Sequence, residues 1–175
     1  MRYTVSIAAL AATLLAATPA MAASSATATA NARGIVLKSL SLTSSSDLDF
    51  GTVAADATNP GTVSVDADTG ARSTTGAVVA LPGSFGRAQF DGLGDPDADV
   101  QLTLNQPAGG VICTGGAACP ASIPAVLALD SGGATTRTTD SNGRFTVFVG
   151  GDFDIAANQQ NGTYSAQFDL TAVYP

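Results

Sequence analysis

From Tyr164 to Ala172, apolar and polar residues alternate, and Tyr174 continues the apolar side. Tyr164, Ala166, Phe168, Leu170, Ala172 and Tyr174 fall on one side, and Ser165, Gln167, Asp169 and Thr171 on the other. Successive strand side chains point to opposite faces, so a period of two describes a strand with one buried and one wet face. The pattern recurs upstream. Ile35-Val36-Leu37 leads into Leu40 and Leu42, alternating with Ser39 and Ser41, as the first core strand. Val63 and Val65 alternate with Thr62, Ser64 and Asp66, and Val100, Leu102 and Leu104 with Gln101, Thr103 and Asn105. Val78–Leu81, Val126–Leu129 and Arg144–Val149 are further strand-length runs, with Gly150-Gly151 expected to turn the backbone toward Phe153 and Ile155. Each run is bounded by Gly, Pro, Asn or Asp, and Asn161-Gly162 has the form of a hairpin turn before the last strand. No helical period or exact repeat is present. The expectation is an all-β, antiparallel β-sandwich over residues 35–175.

Composition supports this and narrows function. All fourteen acidic residues are Asp, and Lys38 is the single lysine, so the best exposed-helix formers are nearly missing. The protein has a net charge of −7, which argues against phosphate backbones and anionic lipid as partners. There is no His and no Trp, which removes the commonest general base and the commonest zinc and copper ligand. Neither a Gly-x-Ser-x-Gly elbow nor a Lys-paired Ser signature activates any hydroxyl. The expectation is a non-enzyme with no catalytic residue, cofactor or metal.

The first residues address the protein for export. Arg2 precedes an apolar run from Val5 to Ala17, and Ala20 and Ala22 suit signal-peptidase cleavage. The run is shorter than the ~20 residues of a membrane-spanning helix, so residues 1–22 are expected to be removed and no membrane insertion follows. The mature protein is then expected in the periplasm, at the cell surface or outside the cell. Residues 23–34 form an N-terminal extension or first strand, in which Ala26, Ala28, Ala30 and Ala32 alternate with Thr27, Thr29, Asn31 and Arg33. In an oxidising compartment Cys113 and Cys119 are expected to form a disulfide. So small a ring stabilises by roughly 2–2.5 kcal/mol in chain-entropy terms.

Asp91-Gly92-Leu93-Gly94-Asp95-Pro96-Asp97-Ala98-Asp99 is the one place where carboxylates gather at a spacing suited to a hard cation. Counted from Asp95, the sixth and twelfth positions hold Val100 and Gln106 where an EF-hand needs Gly and an acid, so a solvated turn explains the cluster equally well. Asp47/Asp49 and Asp152/Asp154 flank apolar residues and are expected on the wet ends of strands.

Ala32-Arg33-Gly34-Ile35-Val36-Leu37-Lys38-Ser39-Leu40-Ser41-Leu42, then Asp47-Leu48-Asp49-Phe50-Gly51-Thr52-Val53, then Asn158, Gly162-Thr163-Tyr164 and the closing Val173-Tyr174 resemble an uncharacterised family of secreted bacterial β-domains, the domain of unknown function four-four-zero-two. That label implies no activity. Gly162 opening the last strand and Tyr174 as penultimate residue are similar to the C-terminal signature of chaperone–usher fimbrial subunits. This second resemblance implies an immunoglobulin-like, pilin-like sandwich with an open groove beside its C-terminal strand. A periplasmic chaperone would recognise that strand, and a neighbour's N-terminal extension would later fill the groove by β-strand addition. The matching positions are Gly162, Tyr164, Phe168, Leu170 and Tyr174, with Ala26, Ala28, Ala30 and Ala32 as the donor. The expected function is a structural or adhesive cell-surface subunit that self-associates into polymers. The alternative is a monomeric secreted module that binds calcium or a carbohydrate at the Asp91–Asp99 turn.

Overall fold

The computed structural model describes residues 25–114 and 121–175, so the expected signal peptide and Cys119 lie outside the described residues. The protein divides into two compact units, Met1–Ile35 and Val36–Pro175. In the first, described residues 25–35 form no strand or helix, so Ala26, Ala28, Ala30 and Ala32 are not part of any sheet. The second has twelve strands among its described residues: β1 (Ser41–Ser46), β2 (Val53–Ala54), β3 (Gly61–Val65), β4 (Arg72–Gly76), β5 (Val79–Ala80), β6 (Ala88–Leu93), β7 (Asp99–Asn105), β8 (Val111–Thr114), β9 (Ala121–Leu129), β10 (Thr136–Thr138), β11 (Arg144–Ile155) and β12 (Asp169–Val173). Every pairing among these strands is antiparallel.

The large sheet runs β1-β6-β11-β3-β4, with β9 and β8 attached to β11; β10-β7-β12 form a second sheet and β2-β5 a small third. β11 organises the large sheet. Val149 lies opposite both Ala88 and Leu129, so β6 and β9 flank it on opposite sides. Residues 151–155 then pair with β3, which follows β6 along one side while β9 continues along the other. The odd residues Phe145, Val147, Val149, Phe153 and Ile155 are buried. The even residues Arg144, Thr146, Asp152 and Asp154 are exposed, so one face of β11 supplies core from end to end.

Gly150 and Gly151 therefore do not turn the backbone, contrary to the sequence expectation. A Cβ on Gly150 would stand 2.5 Å from the Ala67 nitrogen, and one on Gly151 2.6 Å from the Val126 oxygen. The glycines admit neighbouring backbones on both sides of a continuous strand. β9 also repeats the period of two, burying Ile123, Ala125, Leu127 and Leu129. Its edge beyond the β8 pairing is completed by a side chain: Gln106 donates to the Leu127 carbonyl and accepts from the Leu127 N–H, both at 2.8 Å.

Three other expectations are corrected. The first core strand begins at Ser41, and Ile35 and Val36 are 89 % and 95 % exposed, with no strand among the described residues paired to them. The last strand is confined to Asp169–Val173 and pairs with β7, so Asn161-Gly162 is not a hairpin turn between sequence neighbours. Asp91 belongs to β6 and Asp99 to β7, so neither shares a loop with Asp95 and Asp97. One buried cluster joins Val63, Val65, Phe145, Val147 and Val149 of the large sheet with Val100 and Leu102 of the second.

Candidate functional site

An open groove of about 1450 Å³ lies within the second unit. Its apolar lining includes Ile112 of β8 together with residues of two strands that bury every other side chain, Ile123 and Leu127 of β9 and Phe153 and Ile155 of β11. Phe50 joins them, its ring 4.6 Å from that of Phe153 and nearly perpendicular to it. One wall is β1 and the segment after it. Leu42, Ser44 and Ser46 line the groove at alternate positions, so β1 offers one bulky apolar residue followed by serines. The opposite wall is residues 159–170, which include Tyr164, Phe168 and Leu170. Phe168 also packs edge-on against Phe90 of β6 at 6.0 Å. Among the described residues β1 pairs only with β6, and β12 only with β7, so each leaves one edge unpaired.

The wall segments are held by a few specific contacts. Arg72 donates to the Phe50 carbonyl at 3.2 Å and to the Leu81 carbonyl at 2.8 Å while its guanidinium lies 4.5 Å above the Phe85 ring. Gly51 turns with φ +75°, a conformation that favours glycine, and its N–H donates to Asp49 Oδ1. Asp49 Oδ2 accepts from Ser84. In the other wall the Tyr164 hydroxyl donates to the Gln160 carbonyl at 2.5 Å and accepts from Gln159. Ser165 and Cys113 exchange both backbone hydrogen bonds, at 3.0 and 3.3 Å, which ties this wall to β8.

The expected site residues are thus partly gathered. Gly162, Tyr164, Phe168 and Leu170 line the groove. Tyr174 does not; its hydroxyl accepts from the Asp95 N–H at 2.7 Å and donates to the Lys38 carbonyl at 3.0 Å, which joins three distant stretches of sequence. Phe50, Phe153, Ile123 and Leu127 carry no site signal in the sequence, and only their shared burial side points to a common surface.

The Asp91–Asp99 residues are engaged separately. Asp91 accepts from Ser45, Gln89 and Thr146, and these hydrogen bonds, led by Ser45, hold its carboxyl below the usual carboxylate range. Asp95 Oδ1 accepts from the Lys38 N–H at 3.3 Å, and Asp99 from Thr138 at 2.7 Å. Among the described residues no group of three His, Cys, Asp or Glu is arranged to hold a metal ion. Asp152 and Asp154 stand on the wet face of β11, Asp154 accepting from Thr62.

What the fold and groove define is an all-β antiparallel domain with an open cleft of mixed apolar and polar lining, walled in part by two strands that are incompletely paired among the described residues. The protein belongs to the family described as a domain of unknown function, DUF4402, whose model matches residues 40–174. No curated protein and no solved structure matches it.

Proposed function

We propose that the protein is an exported, non-enzymatic structural or adhesive subunit of the cell surface that assembles by β-strand addition. The groove, lined by β1 and the start of β12, two strands that each have one unpaired edge among the described residues, is the observation that carries this reading. An added strand would satisfy unpaired backbone N–H and C=O groups of an edge while its alternate side chains entered the apolar lining.

The donor is the N-terminal stretch of a second copy, and it runs on beyond the alanines. Ile35 and Val36 are almost fully exposed, and Leu37 is 43 % exposed, so bulky apolar side chains follow the alanine run directly. Arg33 and Lys38 flank them, while Asp47, Asp49 and Asp169 line the groove, giving opposite charge on the two surfaces. Residues 26–37 fully extended reach about 40 Å. A periplasmic chaperone protecting the same groove before assembly fits this reading, as does export through the N-terminal segment. The Cys113–Cys119 disulfide belongs to the proposal as a brace on β8, whose Cys113 holds the Ser165 wall.

Electron microscopy of material sheared from expressing cells, with antibody labelling, tests assembly. Labelled filaments support the proposal, and their loss on deleting residues 23–37, with the monomer's melting temperature unchanged, assigns the donor. Filaments that persist after that deletion overturn the donor assignment. Labelled monomers alone overturn assembly and move the weight to a secreted binding module.

A further inference from the structure

We infer that Asn161 is a site of spontaneous backbone-assisted deamidation, and that Asn142, in the same Asn-Gly sequence context, is protected by the fold. In this chemistry the backbone nitrogen of the following residue attacks Cγ of the asparagine. A new bond between that nitrogen and Cγ closes a five-membered succinimide, the bond from Cγ to Nδ2 breaks, and ammonia leaves with the proton from the attacking N–H. Water then opens the ring at either carbonyl, giving aspartate or isoaspartate. A following glycine places no Cβ in the way, so both Asn142-Gly143 and Asn161-Gly162 have the reactive sequence.

Tertiary structure separates them. The attacking nitrogen of Gly143 donates to the Asp140 carbonyl at 2.8 Å, and Asp140 Oδ1 also accepts from the N–H groups of Asn142 and Arg144 at 2.8 Å. Gly143 is buried, and its carbonyl accepts from the Gly94 N–H at 2.7 Å. Reaction at Asn142 requires this turn to open first. Asn161, Gly162 and Thr163 are all exposed, and among the described residues no hydrogen bond engages the Gly162 N–H. The nearest restraints are the Tyr164 hydroxyl on the Gln160 carbonyl and the Ser165 bridge to Cys113. The residues between them can reach the ring-closing geometry without breaking a backbone hydrogen bond.

The product changes the groove wall. Conversion adds a carboxylate among groove residues that already include Asp47, Asp49 and Asp169, and the isoaspartate form adds a carbon to the backbone leading to β12. The consequence for strand docking rests on the function proposed above, whereas the modification does not.

The test is incubation of the full-length protein in mildly alkaline buffer, folded and in urea, followed by peptide mass spectrometry and enzymatic isoaspartate labelling. In the folded protein Asn161 is expected to convert about tenfold faster than Asn142 or more, the gap expected if the turn opens only as a minor state. In urea the two rates are expected to converge. Equal rates in the folded protein, faster conversion at Asn142, or an Asn161 that stays intact while the urea sample reacts would each overturn the inference. Loss of strand assembly in an otherwise unmodified sample would leave it standing, which separates its failure from that of the functional proposal.

Discussion

Asp56 shows how a single half-buried side chain holds a turn together. Its Oδ1 accepts from the N–H groups of Thr58 and Asn59 and from the Thr58 hydroxyl, and these bonds, the Thr58 N–H first, lower its pKa from 3.8 to about 2. Asp66 is lowered by the Thr69 hydroxyl and N–H, and Asp140 by the N–H groups of Arg144 and Asn142. A carboxyl with a depressed folded-state pKa stabilises the fold above its unfolded value and loses that contribution as pH falls toward the folded value. Thermal melts from neutral pH downward should therefore show stability falling between pH 3.8 and about 2, the window set by Asp56. Asp56→Asn should flatten part of that decline; an identical profile would mean that the turn does not contribute. Gly150 is the complementary case, a residue needed for what it lacks. Gly150→Val should cost about 3 kcal/mol in urea denaturation, since the neighbouring backbone at Ala67 has no room to yield.

At the scale of elements, the two ends of the second unit are tied by Tyr174. Tyr174→Phe removes both of its hydrogen bonds, leaves ring packing in place, and should cost about 1–2 kcal/mol in denaturant melts. Faster hydrogen exchange at Lys38, Asp95 and β12 should accompany it. The loop between β9 and β10 is held by a pair whose side chains are only 12 % and 13 % exposed, Arg137 meeting Asp130 at 2.5 Å. Arg137 also donates to the Asp130 and Ala134 carbonyls. Truncating Arg137→Ala leaves a largely buried carboxylate unpaired, and a loss of about 3 kcal/mol is expected. Replacing both residues by apolar ones of similar volume should restore much of that, and a double variant as unstable as the single one would show that the carbonyl contacts dominate.

For the whole molecule, the consequential feature is that a well-formed core coexists with an open groove in the second unit. Val63, Val100, Val147 and Val149 are fully buried, yet Leu42, Phe168 and Leu170 on the same cluster are only half-buried. A subunit completed by a neighbour's strand should melt at a higher temperature in the assembled state than as a monomer, because bound partners stabilise by mass action. Calorimetry of sheared polymers against monomers checks this, and equal melting temperatures would argue against strand insertion. Addition of a synthetic peptide covering residues 26–37 to the monomer should raise its melting temperature in the same direction.

The sequence by itself determined the all-β class and most of the core, because a period of two bounded by Gly, Pro, Asn or Asp is a local property. Val63, Val65, Val100, Leu102, Leu127, Phe145 and Val147 were legible in that way, and so were Tyr164, Phe168 and Leu170 as one face of the C-terminal stretch. Strand partners were not legible, since pairing depends on residues far apart in sequence. The same local glycine signal marks a close backbone approach in Gly150-Gly151 and a turn elsewhere, and only the packing of β3 and β9 against β11 decided between them. Nor does alternation reveal whether an apolar face is covered. Tertiary structure alone left β1 and β12 each with one unpaired edge among the described residues and brought residues of both into the lining of one groove, because burial is set by which elements arrive to cover a face and not by the face itself.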